Sequence, residues 1–429
     1  MIDIKFLKEN PEVVKQNIKN KFQDNKLELV DEAIKLDDMR IEYIQKGDAL
    51  RKRKNEIADE IAELYKNKQG DKAESLKEES KELSNELQKF EDDEKENNDR
   101  LREIMLTIPN IMDDDVPIGE DDSKNVEIKK YGEPIVPDFE IPYHVEILEK
   151  VGGIDLDSAR DVAGNGFYYL DGNIARLHSA ILSYARDFMI DRGFKYCIPP
   201  FMMRKNIVEG VMSFEEMDSM MYKIEGEELY LIGTSEHTMI GRFIGKTLDE
   251  SKMPIKKTSY SPCFRKEKGA HGIEERGIYR VHQFEKQEMI VICKPEDSHK
   301  IYDELWQNTV DLFRSMEIPV RTLDICSGDL ADLKAKSCDV EAWSPRQKKY
   351  FEVGSCSNLT DAQARRLGIR IKGEDGKSYF AHTLNNTVVA PPRMLIAFVE
   401  NHVREDGSIY IPEVLRKYMG GLEEIEVEK

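Results

Sequence analysis

Between Val30 and Ile104 the chain contains no proline, few aromatic residues and an abundance of Lys and Glu. That is the composition of long helices. Leu76, Leu83, Leu87, Phe90, Asn97, Leu101 and Ile104 fall on one three-and-four seam, with polar residues at the skipped positions 80 and 94. The first half offers Ile41 and Ile44, then Leu50, Ile57, Ile61 and Leu64, and Asn67-Lys68-Gln69-Gly70-Asp71 between the halves is a turn signal. Two long helices joined by a short turn lie antiparallel, and at about 1.5 Å per residue an arm of roughly 35 residues reaches about 50 Å. A hairpin with so narrow an apolar seam suits either a dimerising coiled coil or a device for touching something distant. Basic residues gather at Arg51-Lys52-Arg53-Lys54 and near the tip at Lys66, Lys68, Lys72, Lys77 and Lys81. Solvated helix surface accounts for any one of them. A basic outer end on an acidic protein is nonetheless where nucleic acid would be met.

The remaining length, out of 429 residues at 40% hydrophobic, is enough for one large domain beside the hairpin. Charges interrupt the first residues where a secretory signal would need an apolar core, and no apolar run approaches a membrane span. The expected compartment is the cytoplasm, with no membrane partner. Cysteines 197, 263, 293, 326, 338 and 356 show no Cys/His ligand spacing, so they read as packing residues rather than disulfides or a zinc site. A net charge of −20 argues against indiscriminate nucleic-acid binding but leaves room for a local basic patch. Ile108-Pro109-Asn110 ends the helices, and the stretch to Pro142 reads as a linker. Short strand-like and helical stretches follow without regular βαβ alternation, which predicts an α+β domain on a mainly antiparallel sheet. No phosphate loop of the Gly-rich Lys-Ser/Thr type and no dinucleotide fingerprint occurs.

Residues 264–288 concentrate the chemistry. Phe264-Arg265-Lys266-Glu267 and Arg280-Val281-His282-Gln283-Phe284-Glu285-Lys286-Gln287-Glu288 alternate like two strands around a loop with three glycines. Alternation would put Arg265 with Glu267 on one face, and Arg280, His282, Phe284, Lys286 and Glu288 on the matching face of the return strand. Guanidinium for phosphate, a ring for a purine and carboxylates for an ammonium make an inventory for ATP plus an amino acid. An ordinary hairpin with a solvated charged face is the competing reading, which the glycine-rich loop and the rest of the chain outweigh.

Three more segments join this hairpin: Arg192-Gly193-Phe194-Lys195-Tyr196-Cys197-Ile198-Pro199-Pro200, Leu231-Ile232-Gly233-Thr234-Ser235-Glu236-His237-Thr238, and Asn385-Asn386-Thr387-Val388-Val389-Ala390-Pro391-Pro392-Arg393 before an apolar helix from Met394 to Val399. Together they resemble the signature motifs of the class II aminoacyl-tRNA synthetases in order and spacing. The resemblance narrows to the seryl-tRNA synthetase family through His282 to Lys286, Phe351 to Asn358, His382 to Asn385 and Ile411 to Arg416, and through the N-terminal hairpin. It covers essentially the whole chain.

This resemblance implies a tRNA-binding helical hairpin over residues 1–107, a linker over 108–171 and a class II catalytic domain over 172–429. It implies a serine–tRNA ligase that activates L-serine with ATP, releases pyrophosphate and transfers serine to the 3′ end of serine tRNA. Selenocysteine tRNA stays open as a second acceptor. Arg265 would grip the α-phosphate and the serine carboxylate, and Glu267, beside Lys266, would accept from the adenine amino group. Phe284 would stack on adenine, with Arg393 covering the other face and reaching the γ-phosphate; Arg276 and Arg280 would neutralise the pyrophosphate tail. Val281, Val353 and Gly354 complete the ATP site, and Glu352 and Ser355 look like the Mg²⁺ ligands. Thr234, Ser235, Glu236, Glu288, Asn385 and Thr387 would form the serine pocket with Arg265. By the same resemblance the protein is a homodimer, the segment Gly193 to Pro200 meets its two-fold partner, and the arm meets the long variable arm of the tRNA. The reaction needs no protein nucleophile, so His237, His271 and His282 read as structural. The alternative is a paralogue that activates an amino acid without charging tRNA. Pro391-Pro392, and the missing arginine at Gly164-Asn165-Gly166, depart from the family pattern and bear on how Arg393 enters the site.

Overall fold

The computed structural model describes residues 1–267 and 277–428. The chain divides into two compact units, one made of residues 1–19 and 23–109, the other of residues 20–22 and 110–429. In the first unit, helices Leu27–Lys66 and Gly70–Thr107 form the hairpin. The connection is tighter than the sequence suggests. Gly70 is already helical, and Lys68 takes the left-handed conformation with φ 57° that turns the chain.

Every position of the seam through Leu76, Leu83, Leu87, Phe90, Asn97, Leu101 and Ile104, and the polar positions 80 and 94, is half-buried or buried. The first helix differs from expectation. Ile41 and Ile44 stay 41% and 40% exposed, while Tyr43 and Gly47 take the inward positions, Tyr43 edge-on to Phe90 at 5.2 Å. Counting back in steps of three and four from Ile61 and Ile57 leads to Leu50, Gly47 and Tyr43. The facing helix therefore sets the register, and two isoleucines fall outside it.

The second unit is built on an eight-stranded sheet. Its strands are β1 (Val126–Tyr131), β2 (Lys195–Cys197), β3 (Ile255–Phe264), β4 (Gln283–Cys293), β5 (Val320–Asp324), β6 (Lys336–Ser344), β7 (Lys349–Asn358) and β8 (His382–Val389), in the spatial order β1-β5-β6-β7-β8-β4-β3-β2. All pairs are antiparallel except β2 with β3. Helices Gly172–Asp191, Ser298–Ser315 and Pro391–His402 share a core with it through Leu177, Ile181, Leu305, Phe313, Leu395 and Phe398. Each such fully buried side chain contributes about 1.5–3 kcal/mol. A second cluster joins Ile290 and Ile292 of β4 to Met203, Val208, Ile232, Met239 and Leu367.

Alternation on β8 shows how the sheet separates core from site. Asn386 donates to Leu305 O at 2.8 Å and Thr309 Oγ1 at 2.9 Å, both on helix Ser298–Ser315, while its neighbours Asn385 and Thr387 line a cleft. All six cysteines are unpaired, five of them buried. Among the described residues no helix is long and apolar enough to cross a membrane.

Candidate active site

The cleft has a volume of about 790 Å³ and draws its walls from β4, β6, β7, β8 and the segments flanking residues 268–276. Thr234, Glu236, Arg265, Glu267, Arg280, Val281, Phe284, Glu352, Val353, Gly354, Ser355, Asn385, Thr387 and Arg393 all line it. Ser235, Lys266 and Glu288 do not. Ser235 is fully buried and its hydroxyl accepts from Ser259 at 2.6 Å; Lys266 is tied through its backbone N–H to Met220 O at 2.9 Å. Arg276 and His271 lie outside the described residues.

The hairpin at its centre is shorter than strict alternation predicts. β3 stops at Phe264 and β4 starts at Gln283, so Arg265, Glu267, Arg280 and His282 belong to the loop margins. Those margins are nevertheless held. The Arg265 N–H donates to His282 O at 2.9 Å, and the His282 ring lies with Nδ1 3.0 Å from Arg265 O. Glu267 sits at φ 47°, a conformation that β-branched side chains rarely adopt, and Arg280 pairs with its carboxylate at 3.3 Å. The Arg265 side chain donates from Nε to Gly233 O at 3.1 Å and lies 5.2 Å from the Phe284 ring centre. A cation and an aromatic face thus stand side by side at one end of the cleft.

At the other end β7 carries a bulge. Val340 faces Gly354 across the β6–β7 pair, yet Glu341 faces Glu352, so β7 spends one extra residue at Val353. In a regular strand Glu352 and Ser355, three apart, would point to opposite faces; with the extra residue between them, both reach the cleft. Arg393 donates from Nη1 to Glu352 Oε2 at 2.7 Å and to Glu352 O at 3.2 Å, and it lies 4.8 Å from the Tyr279 ring centre. Burial opposes the Glu352 charge, but Arg393 beside it holds the carboxyl below its ordinary range. The departure at Pro391-Pro392 has a simple resolution. Both prolines occupy the first turn of helix Pro391–His402, where an N–H has no acceptor in the helix, and Arg393 follows directly.

Thr234 caps the short helix Ser235–Gly241 and also donates to Glu288 Oε2 at 3.1 Å. Glu236 accepts from the Gln363 amide at 2.8 Å, and burial with Glu288 close by pushes its carboxyl up to about 7. Burial, reinforced by Arg265 and Lys286, pulls His237 down to about 3, which leaves the ring uncharged and unsuited to act as an acid.

Residues 220–402 match the tRNA synthetase class II core domain (G, H, P, S and T), and residues 1–112 match the seryl-tRNA synthetase N-terminal domain. The serine–tRNA ligase of Methanocella arvoryzae is 41% identical over 99% of this chain and 100% of its own length. The chain belongs to the seryl-tRNA synthetase family. The serine–tRNA ligase of Pyrococcus horikoshii is 39% identical over 100% of this chain and 98% of its own. The crystal structure of seryl-tRNA synthetase from that organism, complexed with ATP, superposes on this synthetase with a TM-score of 0.91 at 38% identity, covering 100% of both chains. The cytoplasmic enzyme of Naegleria fowleri in complex with AMP gives 0.86 at 33% identity, covering 100% of this chain and 99% of its own.

The cleft of this synthetase also holds residues that motif reading passed over. Lys334 donates from Nζ to Ser355 Oγ and Ser337 Oγ, each at 3.3 Å. Asp339 faces Ser355 across the β6–β7 pair, and burial beside Glu352 pushes its carboxyl up to about 7. Lys286, which strand alternation already puts on this face, lines the cleft and pairs with Glu288. Lys334 and Asp339 are charged residues in strand or strand-edge sequence with no spacing signature, and only the sheet register brings them to the site. Among the described residues no group of three or more His, Cys, Asp and Glu forms a metal cage. Two carboxylates and a hydroxyl fit Mg²⁺, which takes one or two protein carboxylates and leaves its other positions to water and phosphate.

Proposed function

We propose that the cleft joins L-serine to ATP and that the seryl-adenylate formed there passes its serine to the 3′ end of serine tRNA. The observation that carries this reading is the meeting of Arg265, Phe284, Glu352 and Arg393 in one cleft, with Thr234, Glu236 and Asn385 on its wall. Arg265, braced on Gly233, meets the α-phosphate and the serine carboxylate. Phe284 supplies an apolar face for adenine, whose amino group is read by Glu267, with Val281 at its edge. Arg393 and Arg280 offset charge on the outgoing pyrophosphate, with Arg276 assigned to the same task. Attack of the serine carboxylate on the α-phosphorus, with departure of pyrophosphate, then needs alignment and charge neutralisation and no covalent enzyme intermediate. Glu352 and Ser355 are the groups that would hold Mg²⁺, with Asp339 in support. When bound, that ion neutralises phosphate oxygens.

Thr234 and Glu236 stand at the serine ammonium, Glu288 lies near the ammonium and the hydroxyl, and Asn385 and Thr387 close the pocket. A site that hydrogen-bonds the substrate hydroxyl rejects an analogue lacking it by about 10⁴ or more, whereas one added methyl is worth only about 1–3 kcal/mol. Threonine is therefore the harder competitor.

Residues 1–107 act as the tRNA-binding arm, 108–171 as the linker and 172–429 as the catalytic domain. Arg51 and Arg53 are partly engaged with Asp48 and Glu79, so the exposed Lys52, Lys66, Lys68, Lys72 and Lys81 meet the tRNA phosphates. The enzyme works as a cytoplasmic homodimer through the segment Gly193 to Pro200, a reading supported by Ile198, an isoleucine 66% exposed just beyond the edge strand β2. Each arm then reaches tRNA held on the other subunit. The test is ATP–pyrophosphate exchange by the intact protein. Serine alone among the amino acids is expected to drive it without tRNA, and exchange that ignores serine would refute the assignment.

A further inference from the structure

The two carboxylates at the amino-acid end of the cleft are neutralised differently. Glu236 accepts from an amide, Gln363, and has no lysine or arginine in ion-pair contact among the described residues. Glu288 is paired with an ammonium. Its partner Lys286 stands two residues earlier on β4, hence on the same face, and the Glu288 and Lys286 side chains are only 1% and 10% exposed.

Three further observations define the arrangement. Lys286 Nζ and Thr234 Oγ1 both meet the same oxygen of Glu288, Oε2. Lys286 and Thr234 line the cleft, whereas Glu288 does not. Beyond Glu288 the same face of β4 continues with Ile290 and Ile292 in the apolar second cluster. Glu288 therefore lies where the polar cleft gives way to core, and Lys286 is the charged group between it and whatever occupies the cleft. A carboxylate so buried and without a fixed cation either takes up a proton or draws a cation from the substrate.

We infer that Lys286 is a specificity-determining residue: it cancels the charge of Glu288, so that the side-chain end of the pocket offers hydrogen bonds without net charge and excludes amino acids bearing an ammonium where serine has its hydroxyl. Among the described residues Glu236, which makes no ion-pair contact, is then the carboxylate at this end left to a substrate ammonium, and it serves the α-amino group. The inference rests on the proposed placing of Glu288 beside the serine hydroxyl.

The test compares serine with 2,3-diaminopropionate, which differs from serine by an ammonium in place of the hydroxyl, in ATP–pyrophosphate exchange by the full-length protein. In Lys286→Met the ratio of kcat/KM for diaminopropionate to that for serine is expected to rise about tenfold or more over the unaltered protein. Lys286→Gln, which keeps a donor for Glu288 but loses the charge, is expected to do the same, and it keeps the inference open to refutation if the Met variant does not fold. Lys286→Arg should hold the original ratio. Because both amino acids are measured on one preparation, a partial loss of folded protein cancels from the ratio. A neutral variant that lowers both amino acids by one common factor would reduce Lys286 to a structural support and overturn the inference. Loss of serine-dependent exchange in the unaltered protein would instead overturn the proposed function, and this assignment with it.

Discussion

Arg265 is anchored at Nε on Gly233 O, which leaves its two terminal nitrogens for the cleft. Its substitution should therefore remove phosphate stabilisation without opening the core: Arg265→Ala is expected to lower serine-dependent pyrophosphate exchange by about 10² or more with an unchanged melting temperature. Exchange within tenfold of the original would contradict the role. Glu236 gives a pH prediction. Its carboxyl stands at about 7, raised by burial and then by Glu288, so it is charged above pH 7 and protonated below. The kcat/KM for serine is expected to fall about tenfold per unit as pH drops below 7, and Glu236→Gln should abolish that inflection. Stability runs the other way. The folded chain keeps a proton that the unfolded chain releases near 4.5, so this group withdraws stability as pH rises from 4.5 to about 7. Most residues assigned from motifs do line the cleft, because motifs record chemistry. Lys334 and Asp339 escaped because a lone charged residue in a strand or at its edge carries no signal until its cross-strand neighbours are known.

At the scale of single elements, periodicity proved reliable where both helices of the hairpin agree and failed where one isoleucine pair departs from the seam. The seam from Leu76 to Ile104 needed only counting, whereas Tyr43 and Gly47 took the inward positions because Phe90 faces them. Strand alternation had a similar limit. It placed Phe284 and Lys286 correctly but ran past the true strand ends at Phe264 and Gln283, since a loop margin held by His282 looks extended in sequence. The bulge at Val353 was invisible for another reason: a bulge is a property of two strands, and β7 alone does not reveal where β6 skips a residue. Gly354 follows it closely packed. A Cβ there would stand 3.3 Å from Thr387 Cβ and 3.5 Å from Thr309 Cγ2. Gly354→Val is expected to cost about 1–3 kcal/mol in overpacking and to raise the KM for serine through Thr387 more than that for ATP. Equal changes in both constants would show that β7 shifts as a whole.

For the molecule as a whole, the account divides labour between an arm that captures tRNA and a catalytic domain that makes the adenylate. Every residue assigned to ATP, Mg²⁺ or serine lies at or beyond Thr234, and the hairpin belongs to the other compact unit. Charge reversal at Lys52, Lys66, Lys68, Lys72 and Lys81 is expected to raise the KM for tRNA and flatten its salt dependence, by a slope change of about one for each phosphate no longer neutralised, while exchange is unaffected. The most direct measurement deletes residues 30–104, joins the flanks, verifies folding by circular dichroism and assays pyrophosphate exchange and tRNA charging on the same protein. The account predicts serine-dependent exchange close to that of the full chain and no charging of tRNA. A folded deletion protein that has lost exchange, or that still charges tRNA at the original rate, would contradict it.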